Sequence, residues 1–154
     1  MMQPITRHHQ YYLPGGDLFI LIDTTLFRIH KYFFKREATK FFVPPYTNPN
    51  DNTPHGTFAL HPIILHNISI YDFEQFLWVF YNPQLSLYNN TISNWWSISH
   101  LAGLWGFDEV LNLVNCELEK FEDVLYQEAV EHAWSPEDPT NHTICLHLKD
   151  DHGP

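Results

Sequence analysis

The chain has 154 residues, of which 44% are hydrophobic and 16% aromatic, so it is long enough for one domain with a sizeable core. Residues 1–102 carry six acids and six basic residues, whereas the remainder carries twelve acids against Lys120 and Lys149, which accounts for the whole net charge of −10. An acidic surface repels phosphate and disfavours direct nucleic-acid binding, so we expect no nucleic-acid partner.

The chain lacks the features of a membrane or disulfide-rich protein. No apolar run approaches the roughly 20 residues that a bilayer span requires, and the first residues lack the apolar core of a signal peptide. Two cysteines do not form a disulfide framework in a chain of this size. We therefore expect an intracellular protein, cytoplasmic, nuclear or both, without a membrane partner.

The first third predicts an arm, a hairpin and a helix. Residues 1–16 are typical of an unstructured N-terminal arm that ends in a Pro-Gly-Gly turn, and the domain begins at Asp17. Residues 18–22 form an apolar run suited to a buried strand, and a tight turn leads to a second strand. A helix over residues 32–43 is then ended by two prolines, and residues 44–60 predict a long surface loop.

The rest of the chain predicts one more strand and then mainly helices. Residues 61–66 predict a strand, and Ser69 caps a helix that runs to about Tyr81. A second helix spans residues 91–105, with Gly106 in a left-handed conformation beyond its end. A third helix starts at Asp108 and continues or breaks near Lys120. Residues 121–154 are an acidic extension, helical to about 134, with a strand or tail beyond. The fold class is α/β, of the α+β kind.

Several segments together resemble a BTB/POZ domain over residues 17–120. The opening D-L-F-I-L-I-D is followed by L-F-R-I-H-K-Y-F-F, as in that family, where a strand ending in His-Lys leads into an aromatic helix. The later segments D-F-E-Q-F-L-W-V-F-Y and L-A-G-L-W-G-F-D, with Cys116 and Leu118, follow in the family's order. The residues in these segments are most similar to those of the BTB proteins of mushroom-forming fungi. The resemblance implies a short mixed β-sheet flanked by a helical cluster.

The resemblance also implies a function, namely a homodimerising adaptor or scaffold without catalysis. Its partners would be a second copy and another protein, such as a cullin of a ubiquitin ligase or a transcriptional co-regulator. Asp17 and Lys31 would line a charged pocket at the dimer surface. The dimer interface would comprise Tyr11, Tyr12, Leu13, Tyr32, Phe33, Phe34 and Arg36. The surface for the other partner would comprise Asp72, Gln75, Trp78, Tyr81 and Trp96.

A metal- or ligand-binding protein is the alternative that the residues themselves leave open. The C-terminal segment contains residue types that zinc accepts, namely His142, Cys145, His147 and His152. Scattered surface histidines explain the same pattern, and we expect no metal and no cofactor. The sequence contains no Gly-rich phosphate loop, nucleophile elbow or His-Glu-x-x-His motif, so we expect no enzyme activity. A decayed family copy without a partner is a third interpretation.

Overall fold

The computed structural model describes residues 3–42, 56–82, 84 and 88–133, which form four strands and four helices. The strands are β1 (Thr6–Tyr12), β2 (Leu18–Ile22), β3 (Thr25–Ile29) and β4 (Ile63–Leu65). The helices are α1 (Lys31–Glu37), α2 (Ile70–Tyr81), α3 (Ile92–Trp105) and α4 (Asp108–Ala133). The predicted α+β class is therefore confirmed.

The four strands form one mixed sheet in the order β1-β3-β2-β4. Strands β2 and β3 are an antiparallel hairpin in which Ile20 pairs with Phe27, and Asp23 in the turn takes a positive φ of 52°. The outer strands β1 and β4 run parallel to β3 and β2, respectively. Four of the five β2 residues are buried, as the apolar run predicts for a strand inside a sheet.

The expectation of an unstructured N-terminal arm is wrong for Thr6–Tyr12. This segment forms β1 at the edge of the sheet, with an irregularity in its register between Arg7 and Tyr12. Its inward side chains are His8 and Tyr11, which are both buried. A strand with only two inward residues, one of them histidine, has no clear hydrophobic alternation in its sequence.

The helix predictions agree closely with the structure for α2 and α3. Ser69 caps α2 by accepting a hydrogen bond from the Asp72 N–H at 3.0 Å, and Thr91 caps α3 in the same way through Asn94. Gly106 follows α3 with φ 77°. The first helix is shorter than predicted, because α1 ends at Glu37 and Phe41 reaches the core from the turn that follows.

The core contains a cluster of five fully buried aromatic rings. Neighbouring ring centroids lie 4.5–5.4 Å apart in the pairs Phe34–Phe41, Phe76–Phe107, Phe41–Trp105, Phe76–Trp105 and Phe34–Phe107. Most of these contacts are edge-to-face, the arrangement that aromatic quadrupoles favour. The cluster joins α1, α2 and the turn between α3 and α4, and so fixes the position of α1.

Helix α4 continues without a break to Ala133, past the predicted boundary at residue 120. By its internal contacts the chain divides into two compact units, Met1–Glu117 and Leu118–Pro154. Among the described helices, none combines the length and the apolar character needed to cross a membrane.

Candidate protein-interaction surface

Helix α1 presents an aromatic and cationic surface. The side chain of Tyr32 is 64% exposed, and the Arg36 guanidinium lies 5.8 Å from the centre of its ring in a cation–π contact. Arg36 also forms an ion pair with Glu37. These contacts hold two long side chains in one arrangement on the surface, which reduces the entropy that binding a partner would cost.

Phe33 links this surface to the body of the domain. Its ring stacks on Phe80 at 5.0 Å and meets Tyr32 edge-on at 5.6 Å. It also contacts Tyr81 edge-on at 5.5 Å. Because Phe33 is only half-buried, it can support Tyr32 from below and still contact a partner. Aromatic residues and arginine are the types most often found at the energetic centre of protein interfaces.

Two of the predicted interface residues do not belong to this surface. Phe34 is 1% exposed within the aromatic core, and Tyr11 is buried beside His8 and Tyr81. The expectation that Phe34 and Tyr11 form part of a dimer interface is therefore wrong, because both are already covered within the single chain. Tyr12 and Leu13 are half-buried, with the Arg7 guanidinium 4.7 Å above the Tyr12 ring.

The charged groups of Asp17 and Lys31, which were predicted to line one pocket, do not contact each other. Asp17 Oδ1 accepts a hydrogen bond of 2.7 Å from the backbone N–H of Lys31, the first residue of α1. The Lys31 ammonium instead lies 5.3 Å from the centre of the Phe42 ring. Asp17 therefore satisfies one free N–H at the start of α1, as a cap supplied by a neighbouring segment.

The residues proposed for the second partner surface lie in different environments. Trp96 is 62% exposed on α3, whereas Trp78 packs edge-on against Trp95 and Tyr88. Gln75 accepts a long hydrogen bond of 3.5 Å from Asn90, and Asp72 lies in the first turn of α2. Of this set, Trp96 is the residue whose side chain is most available to a partner.

Tyr81, also predicted for that surface, instead connects α2 to the start of α1. Its hydroxyl accepts the His30 backbone N–H at 2.9 Å and lies 3.1 Å from His30 Nδ1, to which it can donate its own proton. Burial raises the pKa of Tyr81 to about 12, and the negative charge of Asp17 acts in the same direction. Burial, together with Glu74 and Tyr81, likewise raises the pKa of Tyr11 to about 12.

A histidine–carboxylate pair joins β1 to α2. His8 Nε2 lies 2.6 Å from Glu74 Oε1, while His8 Nδ1 accepts the backbone N–H groups of Gln10 and Tyr11 at 3.2 and 3.0 Å. Two donors at Nδ1 place the ring proton on Nε2, from which it is donated to Glu74. The ring also stacks on Phe27 with 4.5 Å between centroids. Both ring nitrogens are therefore used in holding β1 in place.

The same pair and His9 offer three ligand atoms within 4.8 Å of one another, but their hydrogen bonds do not fit a metal. A metal on His8 Nε2 would require the proton to move to Nδ1, where two backbone N–H groups already point. The alternative metal ligands His142, Cys145, His147 and His152 lie outside the described residues.

Sequence reasoning missed His8, Glu74 and the contact of His30 with Tyr81. Both contacts join residues more than fifty positions apart, so no local pattern encodes them. The sequence signal for His30 was its position between a strand and an aromatic helix, although that signal carried no information about its partner.

We compared the chain with models of known protein families, with curated proteins and with solved structures, and found no match.

Proposed function

We propose that the chain is a non-catalytic interaction module of the BTB/POZ type, which forms a homodimer through α1 and recruits another protein. The single observation that carries this proposal is the exposed surface of Tyr32 and Arg36, supported from below by Phe33. A solvent-exposed tyrosine held by a cation–π contact beside a packed core is a typical binding hot spot.

The order of elements is in keeping with this proposal. A β-hairpin leads directly into α1, and β4 is followed by α2, α3 and α4. In the family that the sequence resembles, dimers form through the first helix and the N-terminal segment. Here the Tyr81 ring connects those two parts. Its centroid lies 5.9 Å from that of Tyr11 in β1 and 5.5 Å from that of Phe33 in α1. The interface that we propose contains Tyr32, Phe33 and Arg36, with Tyr12 and Leu13 at its edge.

For the recruited protein we propose a surface around Trp96, separate from the dimer interface. A cullin or a transcriptional co-regulator is the partner class that the resemblance implies. Trp96 lies on α3, a helix that contains no Asp, Glu, Lys or Arg. A contact there would depend on apolar packing, so its affinity should change little with ionic strength.

The homodimer can be tested by replacing Tyr32 with glutamate and measuring the mass in solution by sedimentation velocity. The variant loses the tyrosine ring and brings a carboxylate into a symmetric interface beside Arg36, which already pairs with Glu37, so we expect it to sediment as a monomer. Tyr71 offers a matched control, since it is 53% exposed on a different helix. We expect the Tyr71→Glu variant to remain dimeric.

A Tyr32→Glu variant that is folded and still dimeric would disprove the proposed interface. The circular dichroism spectrum and the thermal midpoint of both variants establish that they are folded. Because both tyrosines are largely exposed, neither change should unfold the domain.

A further inference from the structure

The second half of α4 carries an apolar face on a strongly acidic helix. Leu118, Phe121, Leu125 and Ala129 recur at spacings of three and four residues, and Val124 widens the same face. Leu125 is 59% exposed, Val124 is 53% exposed, and Ala129 is also exposed. The apolar face of an amphipathic helix is ordinarily buried against another surface.

The charges beside this face have nearly all the same sign. Residues 118–131 contain five acids and one lysine, and all five acidic side chains are exposed. Glu122 and Glu128 stand three residues before and after Leu125, so both are its neighbours on the helix surface. A partner that covers Leu125 must therefore approach two carboxylates.

We propose that residues 118–133 are an acidic docking helix for a basic protein segment with its own apolar stripe. Apolar packing around Phe121 and Leu125 would provide affinity, and lysine or arginine opposite Glu122 and Glu128 would provide specificity and a fast association rate. The occupant is a different protein. This site is independent of the dimer proposed for α1, since it uses no residue of that surface.

The charge pattern argues against the two occupants that this chain itself supplies. A second copy of the helix would bring a further net charge of about −4 against the first, which opposes self-pairing. Residues 134–154 contain four acids and only Lys149 as a basic residue, so they carry the same sign. A basic partner is the one that complements both the apolar face and the charge.

The probe is a synthetic amphipathic peptide with leucine along one helical face and lysine elsewhere, labelled with a fluorophore. Binding to the full-length protein is measured by fluorescence anisotropy at low and high salt. We expect binding that weakens as salt is added, and no binding of a peptide with glutamate in place of lysine. The Leu125→Asp variant should bind about ten-fold more weakly or worse.

Controls separate this face from the general charge of the protein. Leu60 is an exposed leucine in the first unit, so the Leu60→Asp variant should bind the lysine peptide like the parent chain. The double variant Glu122→Gln, Glu128→Gln, which removes two negative charges without changing side-chain size, should bind the lysine peptide weakly. The monomeric Tyr32→Glu variant should retain full binding, which distinguishes failure of this site from failure of the dimer.

Three results would overturn the proposal. The first is equal binding of the lysine peptide by the parent and by Leu125→Asp, because the apolar face would then be unused. The second is equal binding of the lysine and glutamate peptides. The third is loss of the dimer in Leu125→Asp, which would identify a second copy as the occupant.

Discussion

At the scale of single residues, Gly106 is the position where the backbone conformation and its surroundings most strongly require glycine. Its φ of 77° is left-handed, and a Cβ atom there would overlap Thr39 Oγ1. The same turn joins the segment after α1 to the end of α3, because the Lys40 N–H donates to the Trp105 carbonyl at 3.1 Å. A side chain at this position would therefore destabilise the fold in two ways, through the left-handed backbone and through the overlap with Thr39.

We expect Gly106→Ala to lower the free energy of unfolding by about 2–4 kcal/mol, from the left-handed conformation and the overlap together. Gly103 is the matched control, because it lies in α3 with open space around it. Gly103→Ala should raise stability by about 0.5–1 kcal/mol through helix propensity. Urea denaturation of both variants measures the difference, and equal effects of the two changes would refute this account of the turn.

The raised pKa values of Tyr81 and Tyr11, both about 12, predict a loss of stability in alkali. Tyrosine in the unfolded chain ionises near pH 10, so above that pH the unfolded state releases protons that the native state retains. Stability is therefore fully present below about pH 10 and falls as the pH rises toward 12.

The alkaline loss can be measured as the thermal midpoint between about pH 8 and about pH 11. Tyr81→Phe removes one of the two groups, so its midpoint should fall less steeply with pH than that of the parent chain. Tyr126→Phe, at an exposed position of α4, should behave like the parent. An unchanged slope in Tyr81→Phe would show that Tyr81 does not cause the alkaline loss.

At the scale of elements, β1 is held in place by contacts that cannot be predicted from its own sequence. His8 donates to Glu74 on α2, so strand and helix are fixed together by one partly buried hydrogen bond in which the histidine is buried. Replacing Glu74 by leucine would leave the His8 Nε2–H buried without an acceptor, and we expect a cost of about 1–3 kcal/mol. Glutamine keeps an oxygen at that position, and its cost should be about 1 kcal/mol or less.

Chemical denaturation of Glu74→Leu and Glu74→Gln provides the comparison. Similar stability of the two variants would mean that the pair does not anchor β1. A separate thermal denaturation tests metal binding at this pair, and added zinc should leave the thermal midpoint of the parent unchanged. A rise of that midpoint with zinc that is lost in Glu74→Leu would contradict our assignment of the His8 proton to Nε2, because among the described residues Glu74 is a ligand candidate only at the His8 site.

The elements that were predictable are those whose signal is local. Ser69 and Gly106 mark helix ends by their own chemistry, and the apolar run of β2 requires no knowledge of its neighbours. Strand β1 pairs in parallel with β3, and the burial of its two inward residues depends on α2 and β3. The end of α1 was misplaced because Phe41 continues the helical apolar pattern from beyond the helix.

The sequence suggested α1 as the position of the candidate surface, but it did not show which side chains of α1 are exposed. The aromatic character of α1 is plain in the sequence, but the sequence does not separate Phe34, which enters the core, from Tyr32, which stays outside. Similarly, the sequence does not reveal that Asp17 contacts the backbone N–H of Lys31 and not its charged group. Neighbouring positions on a short helix differ by 100° in direction, so a small error in phase exchanges inner and outer residues.

At the scale of the whole molecule, charge is distributed unevenly along the chain. Residues 1–102 have no net charge and contain the proposed dimer surface, whereas the acidic residues concentrate in α4 and beyond. A neutral surface can meet its own copy without electrostatic repulsion, but an acidic helix cannot do so as readily. This distribution of charge supports the two proposals made above, self-association through residues 1–102 and recognition of a basic protein by the second half of α4.

The measurement that tests the central claim most directly is the absolute mass of the protein in solution, by light scattering on a size-exclusion column over a range of concentrations. We expect a mass near twice that of the 18.3 kDa chain, because we propose that a second copy covers the exposed Tyr32 and Arg36 surface. A mass equal to that of a single chain at every concentration would contradict the proposed homodimer.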